Sequence, residues 1–345
     1  MTTTTTLLAE RYAALIESNP KLRMRDCADQ LGVTEGELVA ADCGCKSIRL
    51  AVESWIDFIK ELKSLGRVMV LTRNEHCVHE RKGCYEEISS HNGKIGLVVG
   101  KDIDLRLFFA DWAHAYAVTA QARGQEMKSI QFFDRYGNAI HKVYPKEESK
   151  MELYEELISR FSHEDQDATM LTEPAPAKKA VIPVDEERAA KFLDGWKNLK
   201  DTHDFFMLMA KNKVSRLQAM ELGEGKFTRR LDNGVARTLL EQARDKEMPI
   251  MVFVGNDSAI QIHTGTVSKL VIFEDWFNVL DPDFNLHLKE TGIASAWHVI
   301  KPTVDGDVNA VELYDADGEI IAQFFGARKP GIPEREDWRE LTASI

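Results

Sequence analysis

At 345 residues, with 44% hydrophobic and 29% charged residues, the chain has the composition of a globular protein large enough for two domains. Its 56 acidic and 44 basic residues give a formal net charge of −12, which argues against nucleic acid as the main partner. The apolar runs have the length of strands, well short of the roughly 20 residues of a membrane helix, and the first residues lack the pattern of a secretory signal. Five cysteines, an odd number without an export signal, favour reduced thiols and a cytoplasmic location.

Helix-forming residues with apolar spacing begin each half of the chain, and strands follow. The first half is predicted to contain helices at 7–18, 26–40 and 54–65, strands at 67–72, 76–81, 95–99, 103–109, 114–119, 128–134 and 139–144, and a closing helix near 150–161. The second half is predicted to contain helices at 186–199, 203–211 and 235–247, strands near 250–254, 259–263, 267–273, 284–289, 295–300, 308–314 and 319–325, and a closing helix near 334–342. Hairpin turns are predicted at DRYGN (134–138) and DADGE (315–319). Successive strands joined by short turns predict the α+β class, with a large antiparallel sheet flanked by helices in each half.

The two halves also resemble each other in sequence, which indicates a tandem duplication. The blocks that align in the same order are 68–83 with 250–265, 101–118 with 282–299, and 130–144 with 311–325. A period of about 180 residues is too long for a solenoid and favours two tandem domains. The predicted divisions are an N-terminal repeat at 1–163, a linker at 164–185 rich in Pro, Ala and charge, and a C-terminal repeat at 186–345.

The common catalytic motifs are missing from the sequence, which contains no GxGxxG after a strand, no P-loop, no HExxH and no GxSxG. The cysteines allow a zinc interpretation, either at Cys43 and Cys45 or at His76, Cys77, His79 and Cys84. A structural zinc site normally has two facing ligand pairs, and adjacent strand residues point to opposite faces. Ordinary reduced thiols are therefore the favoured interpretation.

His203, in the stretch KDTHDFFMLM, is predicted to lie near the N-terminus of a helix, on the face of Phe206 and Met207. Asp201 has the character of a helix cap. A histidine on such a face is more often a hydrogen-bonded core residue than a ligand. A helix N-terminus also favours the neutral imidazole that an iron or zinc ion needs, so the pattern leaves both interpretations open.

Arg106, in DIDLRLFF, is predicted to share one strand face with Asp104 and Phe108. A solvated strand face is the simpler interpretation, although an arginine beside an aromatic ring also suits a pocket for a flat anionic ligand. In the alignment of the two halves, Arg106 corresponds to His287. Arg328 follows the last predicted strand, in a segment that would ordinarily be a surface loop.

Seven segments carry a resemblance to a known protein family. They are RNEHCVHE (73–80), DLRLF (104–108), SIQFFDRYGNAIHKVY (129–144), DTHDFF (201–206), IMVFVGN (250–256), HLKETGIASAWHVIKPTVDG (287–306) and IAQFFGARKPG (321–331). In this order they resemble the cytoplasmic haemin-degrading factor and haem-trafficking family of bacterial haem-uptake operons, the HemS/ChuS type. The resemblance implies two similar halves with one haem bound between them.

The resemblance also implies site residues. The axial histidine of the family falls on His203, and the arginine on the opposite face of the haem falls on Arg106, where it would hydrogen-bond a small ligand of the iron. Residues that meet the porphyrin or its propionates fall on Phe108, Arg216, Phe253, Lys301, Tyr314 and Arg328. Two positions depart from the family pattern: His263 replaces an aromatic residue and adds a second candidate ligand, and Leu217 replaces a glutamine.

The implied function is haem binding and oxidative haem degradation that releases iron, as part of bacterial haem uptake. Haem b would be the substrate and the iron centre, with an external reductant such as ascorbate or a reductase. The alternative is a carrier without enzymatic activity that delivers haem to a separate haem oxygenase, and a third interpretation is a duplicated domain that binds no haem. The expected partners are haem and an inner-membrane haem transporter or a haem oxygenase, for a monomer or dimer that is not embedded in a membrane.

Overall fold

The computed structural model describes residues 3–20, 22–122, 124–167, 169–177, 180–329 and 331–345. The chain divides into two compact units. The first is drawn from residues 1–72, 80–176 and 256–261, and the second from residues 73–79, 177–255 and 262–345. The predicted linker at 164–185 includes residues 168, 178 and 179, which lie outside the described residues, and the predicted domain boundaries stay a prediction. In the described part of the chain, no helix is long and apolar enough to cross a membrane.

The elements of the N-terminal half follow the predicted order. They are α1 (Thr3–Ser18), α2 (Met24–Leu31), α3 (Glu35–Ala41), β1 (Ser47–Leu50), α4 (Trp55–Glu61), β2 (Gly66–Arg73), β3 (Cys77–Gly83), β4 (Glu87–His91), β5 (Ile95–Val99), β6 (Asp104–Phe108), β7 (Trp112–Ala122), β8 (Gln125–Asp134), β9 (Ala139–Ser149) and α5 (Met151–Phe161). A 3₁₀ turn, Leu62–Leu65, extends α4.

The C-terminal half contains a similar series. Its elements are α6 (Glu186–Lys197), α7 (Asp204–Asn212), α8 (Arg216–Gly223), β10 (Thr228–Leu231), α9 (Val235–Asp245), β11 (Ile250–Asn256), β12 (Ala259–Gly265), β13 (Leu270–Phe273), β14 (Trp276–Leu280), β15 (Phe284–Lys289), β16 (Ser295–Lys301), β17 (Val308–Tyr314), β18 (Ile320–Gly326) and α10 (Glu336–Ser344). A 3₁₀ turn, Glu290–Gly292, follows β15.

In the first unit, five strands lie side by side in the order β1-β7-β8-β9-β2, and every neighbouring pair is antiparallel. Strands β4, β5 and β6 pair in the same antiparallel manner. Apolar side chains of α4 and α5, such as Phe58 and Leu157, pack against inward residues of β8 and β9, such as Phe132 and Val143. Burial of this alternating strand face against helices is the main source of stability for such a layer.

In the second unit, the order is β10-β16-β17-β18-β11, again antiparallel throughout. Helices α6, α7 and α8 cover one face of this sheet, where Trp196 and Phe205 pack beside Trp297. Helices α9 and α10 cover the other face through Leu239 and Trp338. With both faces covered, every residue of β17 is buried, so any charged side chain on this strand needs a partner.

The two predicted hairpin turns are present. Asp134 accepts hydrogen bonds from the backbone N–H groups of Tyr136 and Asn138, and Gly137 takes a φ of 86°. Asp315 does the same in the second half, where Gly318 takes a φ of 80°. Aspartate at the first turn position and glycine at a positive φ are the residues that such turns demand.

The predicted fold class, α+β with large antiparallel sheets flanked by helices, is confirmed. The single helix predicted at 26–40 is wrong: Gly32 ends α2 in the left-handed region at a φ of 70°, and Thr34 begins α3 with a capping box to Glu37. Five elements lay outside the predicted set, namely β1, β4, β10, β14 and α8. The four strands have only four or five residues, too few for alternation to stand out.

Candidate functional site

A buried charged cluster lies on the face of the second unit's sheet that α7 and α8 cover. Glu312 of β17 is at its centre and is fully buried. One carboxylate oxygen, Oε1, accepts hydrogen bonds from Lys301 Nζ at 2.8 Å and from Gln323 Nε2 at 2.9 Å. The other, Oε2, accepts from Tyr314 Oη at 2.5 Å and lies 3.6 Å from Arg216 Nη1. Three predicted pocket residues therefore meet at a residue that the sequence analysis did not single out.

Backbone geometry explains this convergence. Glu312 and Gln323 are directly opposite in the β17–β18 pair, while Tyr314 is two residues beyond Glu312 and so shares its face. Lys301 is the last residue of the neighbouring strand β16. Arg216 is the first residue of α8, held there by the Ser215 cap and its capping box.

The cluster carries one excess positive charge, because two cations share a single carboxylate. Burial by itself would raise the pKa of Glu312, but the charges of Lys301 and then Arg216 outweigh it and lower the pKa to about 2. Burial lowers the pKa of Lys301, opposed by Glu312. Among the described residues, Arg216 Nη1 is buried without a hydrogen bond, so this part of the cluster has donor capacity left for an anion.

Aromatic rings form the wall beside these cations. Lys301 Nζ lies 5.0 Å from the ring centre of Phe205 and 6.0 Å from that of Phe325. The guanidinium carbon of Arg216 lies 5.9 Å from the same Phe205 ring. Phe253, another predicted pocket residue, packs edge-on against Phe325 with ring centres 5.0 Å apart. Apolar walls with a few converging cations are what a flat anionic ligand requires.

His203 occupies the N-cap position of α7, two residues before Phe205. Its side chain is 90% exposed, so the core interpretation is wrong. Its Nδ1 lies 2.5 Å from Asp201 Oδ1, and its backbone N–H donates to the same oxygen at 2.8 Å. These contacts, with the backbone hydrogen bond first, lower the pKa of Asp201. With Nδ1 beside this carboxylate, Nε2 is the ring nitrogen that Asp201 does not contact.

The face of α7 that carries His203 is apolar, as predicted, but it is not covered. Phe206 and Met207 are 68% and 66% exposed. Arg328 pairs with Asp305 at 3.6 Å, and its positive charge also contributes to the lowered pKa of Asp201.

Arg106 and Phe108 lie in the first unit, on β6. The predicted alternation is present: Leu105 and Leu107 are buried, and Asp104, Arg106 and Phe108 share the partly exposed face. The guanidinium of Arg106 pairs with the carboxylate of Asp104 and also donates to the carbonyl of Leu105 at 3.1 Å.

The residues that depart from the family pattern have their own packing roles. His263 is buried and stacks flat on Phe284, with ring centres 3.7 Å apart and planes within 1°. It therefore occupies the place of an aromatic ring in the packing. Leu217, the second residue of α8, is partly buried and packs against the apolar cluster that contains Trp196 and Phe205. His287 lies 2.7 Å from Asn278 Oδ1 on the neighbouring strand.

The cysteines are unpaired in the described structure, where Cys27, Cys43 and Cys77 are buried and Cys45 and Cys84 are exposed. No group of three or more His, Cys, Asp or Glu side chains in the described ranges has the geometry to hold a metal ion. Cys43 Sγ lies 3.1 Å from Gln166 Oε1.

Sequence reasoning missed Glu312, Gln323 and the ring of Phe205. A signal existed for Glu312, since it is the one charged residue within the strand-length run VNAVELY. A charge on the inward face of a strand is rare unless it is paired. Lys301 and Arg216 could not be recognised as its partners, because they are distant in sequence and belong to other elements.

Known proteins that are similar to this chain match it over nearly its whole length. A family model described as a haemin-degrading HemS.ChuX domain matches residues 32–161 and again residues 213–345. The hemin transport protein HmuS of Yersinia pestis is 37% identical over 340 residues, which cover 98% of this chain and 97% of that protein. The crystal structure of holo-PhuS, a heme-binding protein from Pseudomonas aeruginosa, matches with a TM-score of 0.95 at 48% identity and covers 99% of both chains. ChuS, an E. coli heme oxygenase, matches with a TM-score of 0.88 at 34% identity, covering 98% of this chain and 99% of that one.

Proposed function

Because this chain belongs to the family of haemin-degrading HemS/ChuX domain proteins, we propose that it binds haem in bacterial haem uptake. The observation that carries the proposal is the cluster of Arg216, Lys301 and Tyr314 around Glu312, together with the exposed imidazole of His203 on the adjoining helix. Haem is a flat apolar plate with two carboxylates and an iron that accepts imidazole. Each of these features has a matching group in the second unit.

Charge supports the same proposal. Ferric haem with both propionates ionised has one excess negative charge, and the Glu312 cluster has one excess positive charge. The buried Arg216 Nη1, without a hydrogen bond among the described residues, fits a propionate oxygen. Arg328 adds a cation whose pairing distance of 3.6 Å to Asp305 leaves it able to exchange partners.

In this proposal His203 is the axial ligand of the haem iron. Asp201 holds Nδ1 and so directs Nε2 outward, the second-shell arrangement that orients metal-bound histidines. Phe206 and Met207, on the same helix face, offer apolar contact to the ring. The resemblance also assigns haem contacts to Phe108, Phe253 and Arg106, and these contacts are part of the same proposal.

We further propose that the bound haem is degraded oxidatively, with release of iron. Ring opening consumes dioxygen and electrons. Ascorbate or a reductase is the proposed external source of the electrons. Arg106 is the proposed donor to a small ligand of the iron, a role that suits its permanent charge and multiple N–H groups. The similarity to ChuS, described as a heme oxygenase, favours this function.

A carrier is the second candidate, because HmuS is described as a hemin transport protein and PhuS as a heme-binding protein. Both functions need the same pocket. A carrier would pass haem from an inner-membrane transporter to a separate haem oxygenase in the cytoplasm.

A haemin titration followed at the Soret band tests haem binding. We expect His203→Ala to weaken binding and change the spectrum, while the control His91→Ala, which removes an exposed histidine of β4, leaves both unchanged. An identical titration for His203→Ala and the wild type would refute His203 as the ligand.

Addition of ascorbate to the loaded protein then separates the two candidates. Loss of the Soret band with formation of an open-chain tetrapyrrole, unaffected by catalase, supports the enzyme. Persistence of the haem spectrum, or loss that catalase abolishes, supports the carrier.

A further inference from the structure

Glu312 is buried completely, and its polar contacts within the described part of the chain are to groups that surround the proposed carboxylate site. Lys301 of β16, Gln323 of β18, Tyr314 of its own strand and Arg216 of α8 are the polar groups that face it. With four such neighbours its carboxylate has little freedom to turn toward a ligand. Its effect is therefore on the groups around it.

Glu312 is the neighbour that favours the charged form of Lys301, to which it is joined by a 2.8 Å hydrogen bond. Its side chain is 5% exposed and lies among the rings of Phe205 and Phe325. The other charge facing this cluster, Arg216, is of the same sign and disfavours the ammonium form. Burial and a like charge both favour the neutral amine, and only the carboxylate of Glu312 opposes them.

We propose that Glu312 is a positioning residue for a carboxylate-bearing ligand: it keeps Lys301 protonated and fixes Arg216 and Tyr314 around one anion site. This inference rests on the proposed function, in which the anion is a haem propionate. The two cations outnumber Glu312 by one charge, and Arg216 Nη1 is the buried donor left for the ligand. A single carboxylate then completes both the charge balance and the hydrogen bonding of the cluster.

The test is Glu312→Gln, which keeps the shape of the side chain and removes its charge. Without that charge we expect the pKa of Lys301 to fall further below its ordinary value, so that binding of a propionate is accompanied by proton uptake. Haemin affinity should then fall relative to the wild type by about thirtyfold or more at pH 8.5, within the range for breaking a buried charge pair, and recover toward pH 6. Glu312→Asp keeps the charge, so its affinity relative to the wild type should not vary with pH.

A second measurement needs no haem. The side-chain NMR signals of Lys301, in protein labelled at lysine, should titrate at a lower pH in Glu312→Gln than in the wild type. Glu35→Gln, which breaks the buried Glu35–Lys142 pair of the first unit, is the matched control and should leave haemin affinity unchanged. Failure of the wild type to bind haemin would refute the proposed function, whereas the lysine titration reports on Glu312 by itself.

The proposal is overturned if Glu312→Gln binds haemin as the wild type does, or more weakly by the same factor at every pH. Should Glu312→Gln not fold, the pair Lys301→Met and Lys301→Met/Glu312→Gln replaces it; of the three charges in the cluster, the double variant keeps that of Arg216. Because both variants lack Lys301, whose protonation Glu312 is proposed to maintain, the ratio of their haemin affinities should not vary between pH 6 and pH 8.5. A ratio that changes with pH would show that the pH dependence does not pass through Lys301 and would overturn the proposal.

Discussion

Replacing Glu334 by Gln removes a buried carboxylate from the segment that joins β18 to α10 and carries Arg328. The carboxylate oxygens of Glu334 accept hydrogen bonds from the backbone N–H and the side-chain amide of Asn309, at 2.9 and 2.7 Å. Burial raises the pKa of Glu334 from 4.5 to about 7, and these hydrogen bonds, Arg328 and Arg339 offset only part of that effect. The ionised form is therefore less stable in the folded protein than in the unfolded chain.

The raised pKa of Glu334 makes folding stability decrease as the pH rises. Below pH 4.5 the carboxyl group of Glu334 is protonated in both the folded and the unfolded state, so its ionisation does not lower the free energy of unfolding. As the pH rises from 4.5 to 7 the unfolded chain loses this proton while the folded protein keeps it, so folding stability falls. At about 1.4 kcal/mol for each tenfold change in proton affinity, the loss reaches about 3 kcal/mol above pH 7.

Urea unfolding of Glu334→Gln and wild type across pH 4 to 9 measures this loss. Because Gln resembles the protonated acid, the variant should gain about 3 kcal/mol over the wild type between the two ends of the range. Glu340→Gln, on the exposed face of α10, is the control and should show no such trend. A difference between Glu334→Gln and wild type that stays constant with pH would refute the reasoning that burial dominates at this site.

Three further predictions concern other residues. Asp201→Asn keeps a side-chain oxygen of similar size but removes the charge that orients His203. It should lower haemin affinity about 10- to 100-fold in a Soret titration with an unchanged melting temperature, and an unchanged affinity would contradict the role of Asp201. Tyr116→Phe removes a buried hydroxyl that has no hydrogen bond among the described residues. Thermal unfolding should show unchanged stability or a gain of about 1 kcal/mol, whereas a clear loss of stability would reveal a hydrogen-bond partner of the hydroxyl. Arg106→Ala should slow ascorbate-driven haem loss more than it weakens haemin binding, and an equal effect on both would contradict a role in the reaction.

The fold was largely predictable because two signals agreed along the chain. Alternation of apolar and polar residues marked strands such as β6 and β15, and Asp and Gly marked the hairpin turns at 134–138 and 315–319. The helix predicted at 26–40 failed because apolar spacing continues across Gly32, although a glycine followed by Thr34 and Glu37 is itself a stop-and-start signal.

The site was predictable in its residue types and less so in its arrangement. The resemblance, which the comparisons confirm at the level of the family, named Arg216, Lys301 and Tyr314. Their shared dependence on Glu312 was hidden, because ion pairs between elements far apart in sequence leave no local pattern. Their role toward haem stays a proposal that the titrations above decide.

Helical spacing predicted which residues of α7 share a face, but not that this face is exposed. The spacing correctly placed His203, Phe206 and Met207 on one face, but a period says only which residues share a face and not what covers it. Phe205 of the same helix is buried, while Phe206 and Met207 are mostly exposed. Full burial of an apolar side chain of this size is worth about 1.5–3 kcal/mol, so a flat apolar ligand over this face would gain stability from both residues while its iron meets the imidazole. An exposed histidine among exposed apolar residues therefore supports the proposed haem site better than a core histidine would, because a core position would leave the imidazole out of reach of any ligand.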